Sequence, residues 1–185
     1  MLLPVGHPYR LPDALIYATC LWCIYLSKDG VTQDSERHEA MYLSRASRAI
    51  TDVSETPHSK IHAIQAQVLI ATYFFSSNRV SEGNHFVMYA VATALAAGLH
   101  KIRSRNGDLR STLPPPRNST EEGERILAAW TVFMLDRSWA ANLGQTPHMT
   151  FSADHLEDSL DTPWPLDIDS YVQVEVICVN IIVRD

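Results

Sequence analysis

Glycine and cysteine are scarce in this chain, positive charge is outweighed by negative, and no apolar run is long enough to span a bilayer. Each shortage closes off a class of activity. Seven glycines, most of them where helices would begin or end, leave little from which to build a phosphate cradle, and no G-x-G-x-x-G, P-loop or G-x-S-x-G occurs. Three cysteines make no disulfide framework, and the odd count fits a reducing compartment. Cys20 and Cys23 form a C-x-x-C, but inside an apolar helical run rather than at a strand-to-helix turn. Core packing is expected of them, not redox or metal chemistry. That run, Ala14 to Leu26, has no basic leader or small-residue cleavage site and is too short to cross a membrane, so a buried helix in a cytosolic or nuclear protein is expected. Fifteen basic against twenty-one acidic residues give a net charge of −6, the opposite of the footprint a nucleic-acid binder carries.

What is present is helix. A chain of 185 residues, 46% hydrophobic and 19% charged, suffices for one domain with a core that needs neither disulfide nor metal. Pro12 suits the first turn of a first helix, with Asp13 at its positive end and Gly30 just past its close. Asp34 or Ser35 is placed to cap a second helix, whose apolar stripe is Met41, Ala46, Ala49, Ile50 and Val53, and Thr51 to Thr56 reads as a polar joint. A third opens at Pro57 and carries Ile61, Ile64, Val68, Ala71 and Phe75 on one face. A fourth opens at Ser81 with Phe86, Tyr89, Ala90, Thr93, Ala96 and Ala97 as its stripe, and Gly98 stands where a left-handed residue ends it. Small side chains let helix axes approach closely, so the third and fourth are expected to form an antiparallel hairpin across Ser76 to Val80. Between Lys101 and Arg117 five basic residues accompany one aspartate, with Pro114-Pro115-Pro116 near the end; a solvated surface connection is expected there rather than a phosphate site.

The fifth helix, residues 119–143, has the clearest start signal. Ser119 and Glu122 stand at capping-box spacing, Glu121 and Glu122 favour the positive end of the dipole, and Glu121 precedes Arg125 by four. Ile126, Trp130, Phe133, Arg137 and Ala141 fall in one narrow arc, while Leu127, Val132, Leu135 and Trp139 spread apolar surface over much of the rest. A helix apolar nearly all round is buried on more than one side. The fold class that follows is all-α: antiparallel helix pairs around a central buried helix at 119–143, then an irregular acidic segment.

Arg137 sits in the middle of that arc, and an unpaired guanidinium taken out of water costs on the order of several kcal/mol. Neighbouring helical positions do not face each other, so Asp136 is a poor partner. A carboxylate or backbone carbonyls from another element are expected instead, as a buried polar tie rather than a ligand-binding arginine. Trp130, Phe133, Asp136, Arg137, Gly98 and Gly144 are the structural or regulatory candidates.

After Gly144-Gln145-Thr146-Pro147, Asp154, Glu157, Asp158, Asp161, Asp167 and Asp169 occur with no lysine or arginine among them, interleaved with Pro163 and Pro165, as in an extended acidic loop. Tyr171 to Asp185 is rich in valine and isoleucine and reads more like strand than helix, with no second strand in view. Of eight histidines, His58 and His62 share a helical face, but Ser59 stands where a zincin needs glutamate and no third ligand is spaced to join them, so no metal is expected. His148, Asp154 and His155 read as loop residues with nothing to orient them. No catalytic set emerges, and an enzyme is not expected.

Taken together, Ile64-Gln65-Ala66 opening a helix, Glu82 through Ala97 ending in Gly98-Leu99-His100, and Trp130 through Leu135-Asp136-Arg137 to Leu143-Gly144-Gln145-Thr146-Pro147 resemble one family. It is the fungal-specific transcription factor domain, the middle homology region of zinc-cluster regulators. The resemblance runs from about His7 to Asp169, and Asp167-Ile168-Asp169 resembles the Asp-x-Asp stretch that follows the family's Gly-x-x-Pro. Gln145 stands where the family commonly has arginine, and the three cysteines lack the six-cysteine spacing of the family's zinc cluster. The resemblance implies a non-catalytic regulatory domain over residues 1–170, incomplete at its C-terminus, that modulates DNA-templated transcription in the nucleus, with 171–185 an atypical tail. It implies proteins of the transcription machinery or a small effector as partners, with homodimerisation left open. No cofactor and no membrane are expected, zinc belongs only to a separate six-cysteine module, and DNA is contacted only through that module. The alternative is a helical scaffold for protein partners unrelated to transcription, since alanine-rich helix pairs also stack that way, although no fixed internal period is found.

Overall fold

A computed structural model of the chain describes residues 10–27, 33–51, 57–103, 113–150, 160–167 and 169–171, without the side chains of 57 and 58. The fold is all-α. It comprises α1 (Asp13–Leu26), α2 (Gln33–Thr51), α3 (Pro57–Ser76), α4 (Val80–Ala96), a 3-10 turn at Leu99–Lys101 and α5 (Ser119–Leu143), with no strand among the described residues. The chain divides into two compact units, Met1–Val87 and Met88–Asp185, the division falling within α4.

In the first unit small residues set the helix spacing and aromatic rings fill what remains. Ala14, Ala18 and Leu21 of α1 meet Ala46 of α2 and Ala66, Ile70, Tyr73 and Phe74 of α3 in one buried cluster. Burying an aliphatic or aromatic side chain of this kind stabilises by roughly 1.5–3 kcal/mol. The rings of Trp22, Tyr25 and Tyr73 meet edge to face at 5.5 Å, and Phe74 continues the line to Phe86 at the same separation. Such contacts suit the ring quadrupoles.

Each polar tip on these rings finds an acceptor. The Trp22 indole donates to the Leu69 carbonyl at 2.8 Å, the Tyr25 hydroxyl to the Ser76 carbonyl at 2.9 Å, and the Tyr73 hydroxyl to Glu39. Burial, and then the hydrogen bond to Glu39, push the Tyr73 phenol up to about 12.

A tight turn joins α3 to α4 where the sequence places one. The link, Ser77 to Arg79, turns on Asn78 at φ 59°. The Asn78 amide donates to the Phe75 carbonyl and the Arg79 amide to the Phe74 carbonyl, the two-bond cap that closes a helix through a left-handed residue. A Cβ at Gly83 would lie 2.6 Å from the Phe75 ring, so glycine is what lets that ring lie against α4.

Several expectations are corrected. Cys23 is exposed and Cys20 only half-buried, so neither is a core residue; the buried face of α1 passes instead through Ala14, Ile16, Ala18 and Leu21. Asp34 and Ser35 lie inside the first turn of α2, which already begins at Gln33. On α4 the aromatics suggest one face, but the small residues define the real one: Gly83, Val87, Ala90, Val91, Ala94 and Ala97 are buried, while Tyr89 and Ala96 are exposed.

The helix buried on nearly every side is α3, where Ile61, Ala63, Ile64, Ala66, Gln67, Ile70, Ala71, Tyr73, Phe74 and Phe75 are all inside. In contrast, α5 buries Glu121, Arg125, Ala128, Ala129, Val132, Asp136 and Ala140 along one stripe, with Gly123 and Ile126 buried beside it in the first two turns, and leaves Glu124, Thr131, Ser138 and Asn142 exposed along another. Those four polar positions recur every seven or four residues, so they share one face. Gly30, Val53, the acidic residues 154–158, His155 and the Val/Ile-rich stretch from 172 lie outside the described residues.

Candidate functional site

All six candidates from the sequence lie in the second unit, on α5 or at the ends of helices beside it in the chain. The site is best built from the start of α5. Asn118 caps it, its side-chain oxygen accepting from the Glu121 amide at 2.8 Å. Ser119 is one residue too late to cap and instead donates to the Tyr171 carbonyl at 3.0 Å. Glu121 pairs with Arg125 at 2.7 Å, as the four-residue spacing predicts, and it also accepts from the Arg117 amide and guanidinium at 3.0 and 2.9 Å. The second terminal nitrogen of Arg125 donates to the Pro114 carbonyl at 2.7 Å. Burial pushes the Glu121 carboxyl up, but the Arg117 and Arg125 bonds outweigh it and leave the group lowered to about 2.

Glu122 takes a two-pronged bond from Arg103, both contacts at 2.7 Å. The basic connection is thus not simply solvated: Arg103 and Arg117 tie it to the acidic start of α5, complementing the positive end of the helix.

Tyr171, expected to open a strand-like tail, is helical within residues 169–171 and buried. Its ring lies 2.5 Å from where a Cβ on Gly123 would stand, and its hydroxyl accepts from the Leu166 amide at 3.1 Å. Tyr171 is therefore packed into this unit rather than lying beyond it.

The second half of α5 holds two irregular segments. Asp136, 2% exposed, accepts from the amides of His148 and Met149 at 3.0 and 2.9 Å and lies 2.9 Å from the His148 ring nitrogen Nδ1. Arg137 donates to the Met149 carbonyl at 3.1 Å and stands 5.2 Å over the Phe133 ring. The partner expected for Arg137, a backbone carbonyl from another element, is present. The more deeply buried group is its neighbour Asp136, because the inward stripe of α5 runs through Val132, Asp136 and Ala140. His148, which reads from sequence as unoriented, is held by Asp136.

The Trp130 indole donates to the Pro163 carbonyl at 2.7 Å, and its ring meets Trp164 at 4.5 Å and Phe133 at 5.6 Å. The segment that carries Pro163 is fastened at its start as well. The Asp161 amide donates to the His100 carbonyl at 2.8 Å. The Thr162 hydroxyl donates to the Leu99 carbonyl and accepts from the Ile102 amide.

Two glycines set these attachments. Gly98, at φ 72°, ends α4 and opens the 3-10 turn whose carbonyls receive residues 161 and 162. Gly144, at φ 62°, ends α5; its amide reaches Ala141 and that of Gln145 reaches Ala140. It thereby directs the chain back toward Asp136.

The arrangement fastens backbone. The Asp136 carboxylate is engaged by amides, and among the described residues no hydroxyl or thiol bonds to His148. No three His, Cys, Asp or Glu side chains gather where they could hold a metal among the described residues. Exposed Cys23 with half-buried Cys20 on one helix does not fit a zinc cluster. Among the described residues no helix is long and apolar enough to cross a membrane.

Beside the fastened segments the surface is apolar: Trp164 is 72% exposed, Met134 54% and Leu166 50%. Sequence periodicity could not find Asp136 and His148 as a pair: Asp136 lies on the inward stripe of α5, but His148 lies in the loop beyond it, where no helical period reaches. The acidic, proline-broken segment after Gly144 was the visible signal that something must hold it.

Compared with known families, the chain matches the family described as "Fungal specific transcription factor domain" over residues 9–171. That span includes both fastened segments and Tyr171. No curated protein and no solved structure matches it.

Proposed function

The chain belongs to the fungal specific transcription factor domain family, and from that membership we propose that it is a non-catalytic regulatory domain. In this reading it modulates transcription in the nucleus through contacts with proteins of the transcription machinery or with a small effector. The observation that carries the reading is the length of the family match, from residue 9 to residue 171.

Three further features support it. The polar groups of α5 are spent on holding backbone, which suits a scaffold for contacts and not a reaction centre. Trp164, Met134 and Leu166 present apolar area at the surface, of the kind protein interfaces are built around. The net charge of −6 disfavours direct contact with phosphates. DNA recognition and zinc then belong to a separate six-cysteine module.

The test joins the full chain to an unrelated DNA-binding module upstream of a reporter in a fungal cell. Transcription is expected to change several-fold relative to the module alone. No change at matched nuclear protein levels would count against the reading. So would salt-dependent, micromolar or tighter binding of duplex DNA by the purified chain at physiological salt.

A further inference from the structure

Away from the fastened segments of α5, the first unit carries a cleft of about 620 Å³ between α1 and α2 that none of the structural roles above accounts for. Its walls are Asp13 and Tyr17 on α1 and Met41, Ser44, Arg45 and Arg48 on α2. The α2 positions recur at three- and four-residue steps, so one face of the helix forms a whole wall.

The charge in the cleft is lopsided. Asp13 is already engaged by Arg10. Arg45 lies 5.9 Å and 6.0 Å from the ring centres of Tyr17 and Tyr42, and neither Arg45 nor Arg48 has an ion pair among the described residues. Two guanidinium groups with no carboxylate partner among the described residues thus share a wall in a chain whose net charge is −6, beside the thioether of Met41, the ring of Tyr17 and the hydroxyl of Ser44.

The geometry points to a binding site for a small anion with a flat apolar body, an aryl carboxylate in chemical class. Guanidinium forks match carboxylates with paired hydrogen bonds, and a planar apolar body suits the tyrosine face and the methionine. The volume lies within the roughly 300–1,000 Å³ of small-molecule sites. The inference rests on the effector half of the functional reading and supplies the effector's chemistry.

It is tested by calorimetric titration of the full purified chain with 2-naphthoate, with its uncharged analogue 2-naphthylmethanol, and with inorganic phosphate. Saturable naphthoate binding at one site is expected, with the alcohol and phosphate each weaker by about ten-fold or more, since each lacks one half of the recognition. Arg48→Gln, at an exposed position, is expected to weaken naphthoate by a similar factor. Arg45→Ala/Arg48→Ala, checked for unchanged helicity, should abolish binding.

Equal binding of the alcohol, unchanged affinity in Arg48→Gln, or no naphthoate saturation would overturn the inference. So would stronger binding of an aspartate-rich peptide than of naphthoate, because the cleft would then be a protein contact. These outcomes are read on purified protein, whereas the functional reading fails in the reporter cell, so the two failures are distinct.

Discussion

The two units are held together by different means. In Met1–Val87 the helices are packed by apolar residues at regular spacing, and hydrogen bonds such as Trp22 to Leu69 only finish the polar tips of buried rings. In Met88–Asp185 a single long helix carries single polar side chains that each catch a stretch of backbone: Asp136 catches 148 and 149, Trp130 catches 163, and Ser119 catches 171. A packed core spreads its stability over many contacts of similar size. A fastened segment depends on one or two groups, so its weak points are few and can be named.

The largest expected effect probes the packed side of that contrast. Ile70 is fully buried in the first unit, and Ile70→Ala should cost about 2–5 kcal/mol through lost burial and the cavity left behind. Because the core is cooperative, hydrogen exchange should quicken across α1, α2 and α3 together.

Asp136→Ala is the matching test on the fastened side, at about 3 kcal/mol, since the His148 and Met149 amides lose a charged acceptor. Its signature should be local, with the Met149 amide exchanging far faster while Val132 and Ala129 stay protected. Asp136→Asn should recover part of the loss. If Asp136→Ala loosened the whole chain evenly, the distinction between the two units would not hold.

The same contrast explains what was legible in the amino-acid sequence. The tight turn between α3 and α4, the left-handed endings at Gly98 and Gly144 and the Glu121–Arg125 pair could all be read, because each depends on residues a few positions apart. The identity of the most enclosed helix could not. Both α3 and α5 look apolar on most sides, and only the seven- and four-residue recurrence of Glu124, Thr131, Ser138 and Asn142 marks α5 as open.

Arg137 stands out in the sequence because it falls in the arc of Trp130 and Phe133, whereas Asp136 is the residue on the inward stripe. What buries Asp136 is a loop that turns at Gly144 and brings two amides to it, a contact no periodic pattern encodes. Cys20 and Cys23 were misplaced for a related reason: an apolar run says that a helix is buried, not which of its residues face inward.

Acid sharpens the comparison next. Glu121 is buried, and its folded value of about 2 lies below the ordinary carboxylate value of 4.5. A lowered folded value means that the unfolded chain takes up the proton first. The stabilisation, on the order of 2–3 kcal/mol, is therefore complete above about pH 4.5 and is lost as pH falls toward 2. Urea midpoints measured from pH 6 to pH 2.5 should fall, and Glu121→Gln should flatten part of that fall. Exchange under acid should rise first at the start of α5, around Arg117 and Arg125, and later in α1 and α3.

The smallest expected effect is the most discriminating, because it deletes the same bond in each unit. Trp22→Phe and Trp130→Phe each remove one indole N–H donor, directed at the Leu69 carbonyl in one case and the Pro163 carbonyl in the other. Each should cost about 1 kcal/mol or less in overall stability. The local consequences should differ. Leu69 lies inside α3, where its carbonyl also receives the Thr72 hydroxyl at 3.0 Å, so losing Trp22 should leave exchange in α3 nearly unchanged. Pro163 lies in a segment, residues 160–167, with no helix of its own, joined to the rest by Asp161 and Thr162 before it and by the Leu166 amide after it. Losing the Trp130 bond should free that segment, and the Asp161 and Ile102 amides should exchange several-fold faster while α5 keeps its protection. Equal local responses in the two variants would mean that residues 160–167 are held by packing, as α3 is, and that Trp130 contributes only ring area.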